Sequence, residues 1–306
     1  GKIGPASVGM QSDMMQLLDH HNPSVRKYAA DTLGEFHEDA ADAIPRLREL
    51  ISDPHLEVRQ SAITAIGKIR INASESIPEI TRTLKDRAWS VRQASIEALA
   101  NIAPDDPRSI QAFNICLQDE RGKVRQTAID ALGQSSITPE SSMELLIDRL
   151  SDKYPSIRLG ASRLISRTPS LGRKYLSLIL EKLDSDNENT RQATAQTLGM
   201  LGGFAEEAIR PLLSHIDDPD PETRQAVRFA LGQIGQPMEK HLPELVSILS
   251  DPSPERRLAA VETLSSLKEF SSTAIGHLLN HLNDKDSLVR QAVEKTLKRL
   301  QQSPSS

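Results

Sequence analysis

Cysteine is almost absent: Cys116 is the single one in 306 residues, so no disulfide framework exists within the chain. Phe, Trp and Tyr together make up only 3% of the residues. A thick core built on aromatic rings is therefore excluded, and alanine and leucine must form a thin one. No run approaches the roughly 18 apolar residues that span a membrane, and no secretory leader is visible, so a cytoplasmic chain with no membrane insertion is expected. The net charge of −5 lacks the basic excess of a nucleic-acid-binding domain, and no nucleic-acid partner is expected. No stretch alternates with period two long enough to form a strand. There is no glycine-rich phosphate loop, no H-E-x-x-H, and no Cys/His or Ser/His/Asp set. His277 and His281 stand four apart on a predicted helix, but no glutamate follows the first and no third ligand is evident. These absences predict no catalytic residue, no cofactor and no metal.

What is present is a repeat. Arg26, Arg59, Arg92, Arg125, Arg158, Arg191, Arg224, Arg257 and Arg290 are each 33 residues apart. A fixed period of this size marks a solenoid or array. Seven residues after each arginine comes Leu33, Ile66, Leu99, Leu132, Ile165, Leu198, Leu231, Leu264 or Leu297. Six residues before it come Asp53, Asp86, Asp119, Asp152, Asp218, Asp251 and Asp284, a column broken only by His20 and Ser185. Val58, Ala62, Ile66 and Ile69 form one stripe of a 3.6-residue helix, and Ile44, Leu47, Leu50 and Ile51 a shorter one upstream. Each repeat is therefore a short helix A, a turn and a longer helix B. Asn22-Pro23, Asp220-Pro221 and Ser253-Pro254 place a capping side chain before a proline at the first position of helix B.

With its pattern D-x-x-x-x-V-R-x-x-A-x-x-x-L-G-x-I, the chain resembles the HEAT repeat, in the short form found in phycobilisome-lyase-like proteins. The resemblance covers essentially the whole chain. It implies an all-α fold, a right-handed α-solenoid of the armadillo/HEAT type, with nine helix-turn-helix repeats near 12–36, 43–70, 76–102, 108–135, 141–168, 173–201, 206–234, 239–268 and 272–302. These are expected to form one array over 1–302, each unit touching mainly its neighbours, with a disordered tail over 303–306. Gly1-Lys2-Ile3 repeats Gly67-Lys68-Ile69 and reads as the tail of a partial N-terminal helix, as if the chain were a fragment of a longer protein. Glu294 and Lys298 stand in columns that are mostly apolar or glycine elsewhere, which reads as a polar C-terminal cap.

The Asp and Arg columns are expected to form a structural ladder of charge-assisted bonds, within a repeat or to the next. Beside the arginines runs a row of Gln60, Gln93, Gln126, Gln192, Gln225 and Gln291, interrupted by Lys27, Leu159 and Leu258. It lies about 160–180° from the apolar stripe and should face away from the core. In HEAT-like solenoids helix B lines the concave surface, so this row would lie there. Four residues on come Asp31, Thr64, Glu97, Asp130, Arg163, Gln196, Phe229, Glu262 and Lys295, more acidic towards the N-terminal half. Arg163 and Phe229 are the non-repeating members with the chemistry of interface hot spots. Trp89 stands at the first turn of a helix B, and Tyr28 fills a slot otherwise held by small residues, where it could act as a plug.

The function expected is a non-enzymatic protein-interaction scaffold, with a protein partner held along the concave face by Gln60, Gln93, Gln126, Arg163, Gln192, Gln225 and Phe229. The alternative that the resemblance implies is a bilin-lyase-like enzyme, or lyase subunit, acting on a phycobiliprotein. The buried setting expected for Cys116 and the shortage of aromatics to stack a tetrapyrrole oppose it. A DNA-repair HEAT protein would need a basic concave face, which Asp31, Glu97 and Asp130 oppose. A di-iron HEAT hydroxylase needs several His-Glu dyads, and His37-Glu38 stands alone.

Overall fold

The computed structural model describes residues 5–267 and 271–302. The helix tail expected at 1–4 and the tail at 303–306 lie outside the described residues. Among the described residues there are helices and turns but no strand. The chain divides into two compact units, Gly1–Leu145 and Leu146–Ser306. In sequence the 33-residue register runs unbroken across that boundary.

Helix B spans Pro23–Glu35, Leu56–Ile69, Trp89–Ile102 and Gly122–Gln134 in the first unit. In the second it spans Pro155–Arg167, Glu188–Leu201, Pro221–Ile234, Pro254–Ser266 and Ser287–Gln302. Each follows a shorter helix A, such as Ile44–Leu50, Ile77–Arg82 or Ile209–Ser214. The first helix A begins at Pro5, earlier than the Ser12 that the repeat spacing suggests; proline suits a first helical turn. The expected caps are made: Asn22 accepts the Ser24 N–H at 2.9 Å, and Asp220 accepts that of Thr223. Several connections between repeats are short 3₁₀ segments, over Ala73–Ser76, Gly202–Ala208 and Gln236–His241. They fold tightly because each buries a small or flexible apolar residue: Ala73, Ala205 and Met238. His281 lies beyond the end of its helix, Ser271–Leu279, so the two histidines do not share a helical face.

The apolar stripes close as the register requires. Leu33, Ile66, Leu99 and Leu132 in the first unit, and Ile165, Leu198 and Leu231 in the second, are fully buried. Glycine in the helix B interior costs about 1 kcal/mol against alanine, and the structure shows why it stands there. A β-carbon on Gly67 would lie 2.7 Å from Ala98 Cα in the next helix B, and one on Gly34 3.0 Å from Ala65 Cα. Successive B helices touch backbone to backbone at these points. Tyr28 does not act as a plug: Ser61, Ala94 and Ala193 in its slot are buried, whereas Tyr28 is 63% exposed.

Within each unit the ladder runs from one repeat to the next. Arg26 Nε and Nη2 donate to Asp53 at 2.8 and 3.1 Å, Arg59 to Asp86 at 2.8 and 3.1 Å, and Arg92 to Asp119 at 2.7 and 2.9 Å. In the second unit Arg191 grips Asp218 and Arg257 grips Asp284 in the same two-pronged way. The third guanidinium nitrogen ties down the turn of its own repeat: Arg59 Nη1 donates to the carbonyls of Asp53 and Pro54 at 2.9 and 3.2 Å. Each aspartate also accepts the N–H two residues on, as Asp86 does from Ala88 at 2.8 Å. One rung therefore staples two turns and a helix start.

Two rungs depart from the expected pairing. Arg158 meets Ser185 in the aspartate column, and its Nη2 donates to Asn189 Oδ1 at 2.8 Å instead. Between Arg224 and Asp251 the rung is missing. Asp251 accepts from Arg256 Nε at 3.1 Å, and Arg256 also reaches Asp217 at 3.0 Å. Arg224 is left with the carbonyls of Asp218 and Pro219. The cause is legible: Arg256 stands where other repeats carry Val58, Val91 or Val124, so a second arginine reaches the aspartate first.

The rungs set an acid limit on stability. Burial pushes the carboxyls of Asp53, Asp86 and Asp218 up, but the arginine bonds and backbone N–H bonds outweigh it and hold them below the ordinary aspartate value. At Asp284 the bond from Arg257 is the largest influence, in the same direction. A carboxyl depressed by folding contributes stability that is present above its unfolded pKa, about 4, and is lost as pH falls through the folded value. The melting temperature is expected to hold down to about pH 4 and to fall steeply below it. Thermal melts across that range check this; an unchanged melting temperature at about pH 3 contradicts it.

Candidate interaction face along the B helices

Helix geometry puts the arginine-plus-one and arginine-plus-five columns on the side of helix B away from the buried stripe. Gln60, Gln93, Gln126 and Gln192 are half-buried there and Gln225 is exposed. They do not bond to one another. Gln93 donates to Glu97 at 2.7 Å and Gln126 to Asp130 at 2.9 Å, both four residues on, and Lys27 pairs with Asp31 at 2.5 Å in the same way. In the first unit the row is thus partly self-paired, through Gln93, Gln126 and Lys27, and acidic.

In the second unit the same face changes character. Arg163 is exposed and makes no ion pair among the described residues. On its own helix stands Leu159, 37% exposed, one turn before it. Ser166, three residues after Arg163, approaches Met200 Sδ of the next helix B at 3.8 Å. Met200 is itself 37% exposed. Beside it, the ring of Phe229 lies over Gly199, so close that a β-carbon on Gly199 would fall 2.8 Å from ring carbon Cε1. Phe229 leaves 43% of its surface in solvent. Leu159, Arg163, Met200 and Phe229 thus form one ridge across three consecutive B helices. The sequence reading singled out Arg163 and Phe229 and missed Met200. Its signal is the column: the equivalent residues Glu35, Lys68, Asn101, Gln134, Arg167, Gln233, Ser266 and Arg299 are all polar.

The helix A side of this unit is organised differently. Its charges pair from repeat to repeat: Arg173 with Glu207, Arg210 with Glu244, Lys182 with Asp148 and Lys240 with Glu206, at 3.0–3.1 Å. Exposed pairs of this kind contribute little stability, but they leave few unmet charges for a partner.

Trp89, at the start of its helix B, is 42% exposed. Cys116 is buried, and burial, reinforced by Asp119 and opposed by Arg92, pushes its thiol up to about 12. Among the described residues no group of three or more His, Cys, Asp or Glu side chains could hold a metal ion. No helix among them is long and apolar enough to cross a membrane.

Residues 12–74, 57–133, 112–199, 143–232 and 209–298 match the family model of HEAT repeats, and the chain belongs to the HEAT-repeat family. No curated protein matches it. Among solved structures it is similar to an engineered protein, with a TM-score of 0.51 and 19% identity over 98% of this chain and 92% of that one. It is also similar to the karyopherin Kap121p bound to the extreme C-terminus of the protein phosphatase Cdc14p, with a TM-score of 0.66 and 15% identity over 97% of this chain and 38% of that one. Importin beta gives a TM-score of 0.64 and 15% identity over 97% and 47%. The chain spans less than half the length of Kap121p and of importin beta. At such identities the likeness is one of fold, a helical solenoid.

Proposed function

We propose that this chain is a non-enzymatic scaffold that holds a polypeptide partner along the exposed face of its B helices, the face that HEAT solenoids turn to their concave side. Arg163 and Phe229 are the anchors, with Leu159 and Met200 between and beside them, and the glutamine row supplies smaller polar contacts. The observation that carries this is the ridge itself. It places exposed apolar side chains and an unpaired arginine together, while the helix A side neutralises its own charges. Aromatic and arginine anchors surrounded by polar contacts are what protein interfaces use. That one solved relative in fold is a karyopherin bound to the end of a phosphatase chain supports a polypeptide as the ligand class. The buried, unreactive Cys116 favours this reading over the bilin-lyase-like one that the finer resemblance suggests, and a cytoplasmic setting accords with it.

The test is the double variant Arg163→Glu, Phe229→Ala. Both side chains are exposed, so the fold should survive, with helical ellipticity and melting temperature close to those of the parent. Binding of a partner isolated on the parent is expected to fall by about a thousandfold, the sum of two hot-spot losses of about 2 kcal/mol each. Undiminished binding would remove the ridge from the site.

A further inference from the structure

Another group of side chains breaks the repeat, and it lies in the first unit, at the end of the helix A Ile77–Arg82 and in the turn that follows. Arg82 is the sole cation of its column, where the other repeats carry Gln16, Glu49, Ile115, Asp148, Glu181, Ser214, Ser247 and Asn280. Lys85 is the sole cation of the next, opposite Asp19, Ser52, Gln118, Ser151, Asp184, Asp217, Ser250 and Asn283. Arg87 adds a third positive charge two residues on. Trp89, at the first turn of the following helix B, is the only aromatic residue of its own column and is 42% exposed. The fixed arginine column is accounted for by the ladder. None of these four residues takes part in a rung.

A crevice of about 330 Å³ opens here between this repeat and the one before it. Arg48, Arg59, Arg82 and Lys85 line it, against the carboxylates of Glu79 and Asp86. Both carboxylates are already held. Arg48 donates to Glu79 at 2.6 Å, and Arg59 takes both oxygens of Asp86. Arg82, Lys85 and Arg87 are exposed and make no ion pair among the described residues. The bond from Arg48 holds the Glu79 carboxyl below its ordinary value, and Arg82 adds to this only through its charge at a distance. Two cations on the rim of the crevice therefore keep their donors free, in a chain whose net charge is −5.

We infer that this edge of the first unit docks an acidic segment of a polypeptide partner, with carboxylates on Arg82 and Lys85 and an apolar side chain against Trp89. Charge complementarity carries the inference: free cations beside a crevice attract and orient a chain of opposite sign. Arginine and tryptophan are also the side chains that anchor protein interfaces. A nucleic acid is a poorer match, because its backbone is met by an extended basic stripe, and the preceding turn carries the exposed Glu57 instead. The site lies in a different unit from the Arg163–Phe229 ridge and does not depend on it.

The experiment uses the full chain and three fluorescent probes at low salt: a short peptide alternating Glu, Asp and Leu, its amide counterpart with Gln and Asn, and oligothymidylate. Binding of the acidic peptide alone is expected, weakening as salt rises. Lys85→Glu is expected to weaken it about tenfold, as the reversal of one contacting charge. Trp89→Ala should weaken it while leaving the salt dependence unchanged. Lys240→Glu, the same change of net charge at an exposed position in the other unit, should bind the peptide like the parent. Ellipticity confirms that each variant folds. Failure of the acidic peptide to bind, parent-like binding by Lys85→Glu or Trp89→Ala, an equal loss in Lys240→Glu, or equal binding of oligothymidylate would each overturn the inference. The Arg163→Glu, Phe229→Ala variant should bind this probe like the parent; loss there would mean that the peptide sits on the ridge and not on this edge.

Discussion

Asp86→Ala is expected to destabilise the first unit by about 3–5 kcal/mol, the range for removing one partner of a buried ion pair. The loss has three parts. The Arg59 guanidinium, in a residue only 9% exposed, loses both of its charge-assisted bonds at 2.8 and 3.1 Å. The Ala88 N–H at the start of the next helix B loses its acceptor. The two turns stapled by the rung are released from each other. Arg224→Met is the built-in comparison, because its rung is missing and only two carbonyl bonds are at stake. It should cost about 1 kcal/mol. Urea unfolding of the two variants distinguishes a ladder that holds the repeats from one that merely accompanies them; equal and small losses would support the latter.

Gly67→Ala should destabilise by about 2 kcal/mol, the typical cost of overpacking, although alanine is the better helix former by about 1 kcal/mol. The new β-carbon would stand 2.7 Å from the Ala98 backbone, where no side-chain rotation can relieve the contact. Gly232→Ala should do the reverse and stabilise by about 0.5–1 kcal/mol, since its nearest neighbour would be 3.9 Å away and only the helix-propensity gain remains. Opposite signs from one substitution at two positions of one column would show that the close helix approach, and not helix propensity, keeps glycine there. The same sign at both would contradict this.

The sequence made the architecture plain because a 33-residue register states the same physical instruction nine times. The buried column from Leu33 to Leu231 and the capping residues Asn22, Asp220 and Ser253 stand where that instruction puts them. The direction of the ladder was not legible, because Asp53 lies as naturally with its own Arg59 as with Arg26 when only spacing is known. Three-dimensional stacking decides for Arg26. The missing rung was legible in principle, in the Arg256-Arg257 doublet. The glycine column was half legible: its cost in a helix signalled a constraint, but only the structure supplies Ala65 and Ala98 as its cause. Of the interaction face, Arg163 and Phe229 announced themselves by breaking the repeat. Met200 was hidden because methionine in a helix reads as ordinary core.

The most direct test of the scaffold reading places a photo-crosslinking amino acid at Phe229 on the exposed B-helix face, and separately at Arg210 on the helix A side. Each chain is irradiated with the polypeptide partner isolated on the parent. Adducts from position 229 and none from 210 are expected, with competition by unlabelled parent chain. Adducts from 210 alone would put the partner on the helix A side and contradict the assignment of the B-helix face.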